Sequence, residues 1–487
     1  MPTLCRAAVL PAPDDPAEAA VQLARAAAGT PHVVYERDGT WHFATAPAAT
    51  LTAGAGWITA SVAGRSHEAD TGGRPVEAVA AALAALPRHG WRAFGWAAFE
   101  LGHLLHADPA TVGPEPLLHL VLPTVDIELT PGQAYVRASD DGALFHAGDL
   151  LTRPALSLAT ETAALADPEA LVASGAAAYQ QAVAATVADI RSGLLHKAVL
   201  SRSLPLADAP DLAATYLAGR RANTPARSYL FDLGGWQVAG FSPETVVEID
   251  ANGRIATDPL AGTRARDPDP DRNGLLGQEL FADSKEVHEH ALSVRLAIDE
   301  LAGVCHPGSV AIEDFMAVRQ RGSVQHLGSR VTGWLRADAS AWLAFAALFP
   351  AITVTGVPKP AALRALRTHE PGSRGLYGGA VLMAGADGSL DAALVLRTVF
   401  RHRGQAWLRA GAGIMGQSTP AREWEETCEK LRSIAPFLRL DAPVPVAAPL
   451  TASVGAGPAT DIGDRALSAS PVKLGRRKVQ NHKGRNR

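Results

Sequence analysis

Asx-Gly dipeptides recur along this chain, among them Asp38-Gly39, Asp141-Gly142, Asn252-Gly253 and Asp387-Gly388, and restrict the folds open to it. An Asx-Gly pair readily takes the positive φ angles of a two-residue hairpin turn. Around the first of them, alternating stretches 32–37 and 40–44 read as the two arms of a hairpin. Hairpins build antiparallel sheets, whereas a parallel sheet needs a crossover helix between successive strands. The expectation is an α+β fold with layered antiparallel sheets and helices packed on them, and no Rossmann-type βαβ unit.

Helices are expected where capping residues and long periodic runs occur. Asp15, Pro16 and Glu18 read as N-cap, first helical residue and capping-box acid of an Ala-rich helix that stops at Gly29. The longer candidates cover 168–191, 274–302 and 420–435. From about Asp441 the sequence turns to Pro, Ala, Ser and Gly and then to a basic end, so 441–487 reads as a disordered basic tail with too few apolar side chains to fold. Ahead of this tail the chain is read in two portions, 1–165 and 166–440.

At 487 residues with 47% hydrophobic and 19% charged residues the chain is globular, and a net charge of -4 provides no basic field for nucleic acid. No run approaches the roughly 20 apolar residues of a membrane span, and no export signal opens the sequence. Cys5, Cys305 and Cys428 form neither a CxxC pair nor an even set, which points to a reducing compartment. A cytoplasmic monomer acting on a small molecule, apart from nucleic acid and membrane, is expected.

Two Glu-x-x-Glu pairs, Glu286/Glu289 and Glu423/Glu426, each fall in a helix-like run that sets both carboxylates on one face. They are either solvated helix faces or two halves of one site. Four converging carboxylates would repel unless a cation stood among them, and an all-oxygen set suits a hard divalent ion such as Mg²⁺, which keeps positions for water and substrate.

Residues 196–202 read as a strand with Lys197, Val199 and Ser201 on one face. Lys197 is either a gatekeeper at an exposed edge or a desolvated amine able to act as a base on water. Glu244 follows a strand end at Ser242-Pro243, where apolar Phe241 nearby would raise its pKa and make it an acid. Asp258 to Arg264 reads as a loop whose Gly262 and Thr263 can cradle a carboxylate, and Arg409 to Ile414 as an anion nest or a plain turn. His326 reads as a core or pocket histidine. Tyr377, Arg397 and Lys430 are candidates for gripping carboxylates, although Lys430 could equally form a surface pair with Glu426 four residues before it. His288-Glu289-His290 is not a zinc-protease motif, since Leu292 stands where the second histidine belongs.

Nine segments in order, HKAVLSR, GFSPE, DPLAGTR, SKEVHEH, RGSVQHLGS, TGVPK, GLYGGA, LRAGAGI and EWEETCEK, resemble the chorismate-utilising enzymes, the family of anthranilate, aminodeoxychorismate, isochorismate and salicylate synthases. The likeness runs over about 170–440, and Gly95 to Glu100 looks like the family's N-terminal portion. It implies one domain of two antiparallel sheets between helices, binding chorismate through Mg²⁺. Anthranilate synthases carry Gln at the place of Lys197, and aminodeoxychorismate synthases carry a nucleophilic lysine where this chain has Ala261. The TGVPK segment is closest to salicylate synthases of the mycobactin type, which serve siderophore pathways. By this resemblance Lys197 activates water and Glu244 protonates the leaving hydroxyl. Glu289 and Glu426 hold Mg²⁺ directly, Glu286 and Glu423 through its waters. Gly262, Thr263, His326, Tyr377, Arg397, Gly411 and Lys430 bind the substrate. The implied activity is a salicylate synthase, with an isochorismate synthase or, further off, anthranilate synthase component I as alternatives.

Overall fold

The computed structural model describes residues 4–87, 90–152 and 163–440. The tail expected over 441–487 lies outside them. Strands dominate, and every described ladder is antiparallel. One sheet runs from Arg6–Pro11 through Gln133–Ala138, Leu118–Thr130, Thr40–Ala53, His32–Arg37, Arg227–Leu233, Trp236–Ser242, Thr398–His402 and Gln405–Ile414 to Lys197–Pro205. The second continues from the far halves of the same two long strands through Arg92–Ala97, Ala380–Gly385, Leu390–Leu394, Thr245–Ile249 and Arg254–Thr257 to Val324–Trp334. A register shift between Pro47 and Ala49 marks where the long strands pass from one sheet to the other. Strands from before and after residue 165 share both sheets.

Between the sheets lies an aromatic core that includes Tyr35, Phe94, Trp96, Tyr229, Phe231 and Phe400. Helices cover the outer faces. Pro16–Ala26, Asp141–Thr152 and Leu212–Ala222 pack apolar faces on the first sheet. Pro75–Ala84, Ser284–Ala302 and Ala341–Leu348 cover the second, and Lys359–His369 packs on strand Lys197–Pro205 at the end of the first. The layered α+β architecture expected from the hairpins is therefore present. Among the described residues no helix is long and apolar enough to cross a membrane.

Local chemistry explains most boundaries. Asp15 accepts from Ala17 and Glu18 N–H as the N-cap of Pro16–Ala26, an interaction worth about 1 kcal/mol. Asp38 and Gly39 both take positive φ, 51° and 79°, in the tight turn joining Arg37 to Thr40. Asp141-Gly142 departs from expectation by starting a helix, because Asp140 Oδ1 accepts the Ala143 N–H at 2.9 Å and the following run buries Ala147 and Leu150. Two long helical candidates are each split. Gly175, at φ 76°, separates Pro168–Val172 from Ala176–Arg191, and Asp283 ends Pro270–Ala282 while capping Ser284–Ala302. The third stops at Leu431. Residues 409–414 are neither nest nor turn but the end of strand Gln405–Ile414. The expected 258–264 loop is mostly strand, Leu260–Ala265, with a bulge at Gly262 where φ is 75°.

Candidate active site

Lys197 opens a strand flanked by Gly356–Val357 on one side and Gln405–Ile414 on the other, so it is no edge gatekeeper. Its side chain is fully buried, with Nζ 2.9 Å from Glu289 Oε1 and 3.4 Å from Ser293 Oγ. The sequence anticipates a desolvated amine; the structure adds a carboxylate partner. A Cβ on Gly413 would fall 2.2 Å from Glu289 Oε1, so this glycine is what lets the helix carboxylate lie against the strand.

The two Glu-x-x-Glu pairs converge. Glu286 and Glu289 sit on Ser284–Ala302, Glu423 and Glu426 on Pro420–Leu431, and all four are buried, which excludes solvated helix faces. Cations surround them: Lys430 Nζ lies 2.9 Å from Glu426, Arg264 Nη1 3.1 Å from Glu286, and Lys285 Nζ 3.0 Å from Glu423 and 3.8 Å from Glu286. Burial and the neighbouring Glu426 charge push the Glu423 pKa up to about 7. Burial also opposes the charge on Glu426, but Lys430 and Lys285 outweigh it and hold that carboxyl at about 2.

Glu286 Oε2 and both Glu423 oxygens are buried without a hydrogen bond, although the Lys285 ammonium stands 3.0 Å from Glu423 Oε1 as an ion pair. Such atoms are costly unless something charged meets them. Among the described residues no three acidic, His or Cys groups close into a ready cation cage. The donor set nevertheless fits a hard divalent cation: carboxylate oxygens only, several bare, with substrate space beside them.

That space is a cavity lined by Glu244, Gly262, Thr263, Glu289, His326, Tyr377, Arg397, Gly411, Glu426 and Lys430. Lys197, Glu286 and Glu423 do not line it; they stand against or beside the two lining glutamates. Glu244 follows Pro243 at the end of Trp236–Ser242, where its Oε2 accepts the Leu260 N–H at 3.1 Å and its Oε1 accepts the Thr353 hydroxyl. Burial pushes its pKa up to about 8, so it carries a proton at neutral pH. Phe241 is not the cause, because it packs on Tyr216 and Gly219 under the outer helices.

His326 is both core and pocket residue. Arg397 Nη2 donates to Nε2 at 2.6 Å, so Nδ1 carries the hydrogen and donates to Gly262 O at 3.0 Å. Burial and Arg397 hold this imidazole neutral, well below its usual pKa. Arg397 itself is buried and makes no ion pair among the described residues; burial lowers its pKa to about 9, so it remains charged at neutral pH and is placed to meet an anion in the cavity. Lys430 also donates to Gly411 O at 2.9 Å, so it is part of the cavity wall and no surface lysine.

Sequence reasoning did not single out two lining residues. Thr353 holds Glu244 and carried no signal in the sequence. Arg409 is buried over the Tyr377 ring at 5.4 Å and donates to Glu370 Oε2 at 2.7 Å and Ser201 Oγ at 2.8 Å. An arginine on the cavity side of the strand, in step with Gly411 and Gly413, was its only trace.

Comparison with known proteins agrees with this geometry. The model of the chorismate binding enzyme family matches residues 30–436. A salicylate synthase of Mycolicibacterium paratuberculosis is 40% identical over 437 residues, 88% of this chain and 95% of that protein. Anthranilate synthase component 1 of Streptomyces coelicolor is 40% identical over 269 residues, 54% of this chain and 52% of that protein. The fold is shared with the menaquinone-specific isochorismate synthase of Escherichia coli at a TM-score of 0.66 and 22% identity, covering 88% of this chain and 94% of that one. With a matched region spanning both sheets, both acidic helices and the cavity between them, the chain belongs to the chorismate binding enzyme family.

Proposed function

We propose that this enzyme is a Mg²⁺-dependent salicylate synthase serving a siderophore pathway: it turns chorismate into isochorismate and then into salicylate and pyruvate. The supporting observation is a proton-carrying Glu244 on the cavity wall together with a buried Lys197 that stands behind the wall against the lining Glu289, in a chain 40% identical to a salicylate synthase over 88% of its length. Arg397 and the Tyr377 hydroxyl, which has no hydrogen-bond partner among the described residues, suit one substrate carboxylate, with the Gly262–Thr263 bulge and Lys430 for the other. Glu289 and Glu426 would hold Mg²⁺, with Glu286 and Glu423 behind them, and the bound ion would neutralise the ring carboxylate.

In the first step Lys197 takes a proton from water as its oxygen bonds to C2. The ring double bonds shift, and the C4 hydroxyl leaves as water with the proton of Glu244. In the second step the C2 hydrogen moves within isochorismate to the enolpyruvyl methylene carbon as the C3–O bond breaks. The ring becomes aromatic and pyruvate departs. Being intramolecular, this step asks the cavity for a held conformation rather than another acid. The same reasoning makes an isochorismate synthase the competing reading, since its machinery ends one step earlier. Product analysis after incubation with chorismate and Mg²⁺ decides: salicylate and pyruvate in equal amounts are expected, and isochorismate accumulating alone would overturn the proposal. Ammonia-dependent product would point to anthranilate synthase instead.

A further inference from the structure

Glu244 borders two cavities. Besides the substrate cavity it lines a second, of about 20 Å³, walled also by Thr257, Ala297, Glu300 and Thr353. Thr353 lines both, so the Thr353–Glu244 hydrogen bond is the partition between front and rear. Its wall is mixed, with Val246, Leu348 and Ile352 beside the two glutamates and the threonines, and a space of this size with polar partners holds about one water. Glu300 leads outward from it: its side chain is 20% exposed and is held by Lys359 Nζ at 2.7 Å, the lysine of the TGVPK segment.

The reaction leaves a proton imbalance that this arrangement can settle. After the first step Glu244 lacks a proton and Lys197 has gained one, while isochorismate still fills the front cavity. We infer that the rear cavity is the proton entrance of the general acid: the Glu300 carboxylate picks up a proton from bulk solvent and passes it to a water in the cavity as that water protonates Glu244, which leaves Glu300 a carboxylate again beside Lys359. Lys197 releases its extra proton as the products leave, so each turnover takes up one proton and gives back one. The inference rests on Glu244 acting as the acid. It also gives Glu300 a positioning and relay role outside the substrate site.

Two variants of the full-length enzyme test it. Glu300→Gln removes the relay group isosterically, and Ala297→Val fills the rear cavity while leaving Glu300 in place. First-turnover and steady-state rates with chorismate and Mg²⁺ are compared in H₂O and D₂O, with thermal melts as the check on folding. Both variants are expected to keep the parent first-turnover rate and kcat/KM, to lose about tenfold in steady-state kcat with KM falling in proportion, and to show a larger solvent isotope effect on kcat. Unchanged steady-state rates, a first turnover slowed equally, or slowing without an isotope effect would each overturn the inference. Glu244→Gln separates the two ideas: if it keeps full first-turnover activity, the acid assignment itself fails; if it is inactive while Glu300→Gln is normal, only the rear entrance fails.

Discussion

Two buried groups of acids in this molecule are treated in opposite ways. Beside the Asp38-Gly39 hairpin, Asp391 accepts from Arg227 at 2.9 and 2.7 Å and from the Tyr35 hydroxyl. Glu248 accepts from Arg330 at 2.8 Å and from Arg227 at 3.2 Å, and Arg330 also donates to Asp258 at 2.8 Å. Burial opposes the charge of Asp391, but Arg227 outweighs it and holds that carboxyl below its usual range. At the two acidic helices, Glu423 and Glu286 keep bare oxygens, and burial drives both carboxyls upward. Acids that hold strands together are matched atom by atom, whereas Glu286 and Glu423, behind the cavity-lining glutamates, keep oxygens without a hydrogen bond. The difference separates architecture from function without any reference to homologues.

This contrast can be tested, beginning where the effect is largest. Lys197→Ala and Glu244→Gln should each lower turnover of chorismate by about 10²- to 10⁴-fold while the protein stays folded, as product assays and thermal melts would show. Retention of normal hydration at C2 by Lys197→Ala would remove the lysine from the chemistry. Asp391→Ala, which takes from Arg227 its nearest carboxylate and leaves it Glu248 at 3.2 Å, should cost about 3 kcal/mol in denaturant unfolding. A cost near zero would erase the architectural half of the comparison. The Asp391 contribution has a definite sign with pH. Its folded pKa is depressed, so the stabilisation is present above the unfolded value of about 3.9 and is lost as pH falls through the folded one.

Activity should vary on the alkaline side. Glu244 must be protonated to act, so kcat/KM should fall about tenfold per unit once pH exceeds about 8, with no loss from this group between pH 6 and that point. A profile still rising past pH 9 would contradict the acid role. The smallest effect concerns Glu423→Gln. In chelator this variant should match the parent within about 1 kcal/mol or exceed it, because a buried, poorly paired charge is gone. Added Mg²⁺ should then raise its melting temperature less than it raises the parent's. Strong destabilisation in chelator would show that Glu423 is architectural after all.

Much of the site was legible because its residues carry chemistry that a core rarely tolerates. Buried glutamates spaced for one helix face, a lysine at the start of a strand and a glutamate after Ser-Pro are costly unless used. What went unread were features set by neighbours distant in sequence. Thr353 meets Glu244 from 109 residues away, and Arg409 meets Glu370 across 39. The helix breaks at Gly175 and Asp283 and the capped start at Asp141 were missed for another reason. Periodicity continues across a break, and an Asx residue serves a turn and a cap equally well.

The sequence alone settled the antiparallel layering, since a two-residue Asx-Gly turn such as that between Arg37 and Thr40 forces its flanking strands to pair locally. It also settled which acids share a helix face, because 3.6 residues per turn is a property of the backbone. Only the tertiary structure decided that the two acidic helices meet, that Lys197 faces Glu289, and that Glu244 sits between two cavities. Those facts depend on burial and on charges drawn together from far along the chain, and both arise only once the sheets have stacked.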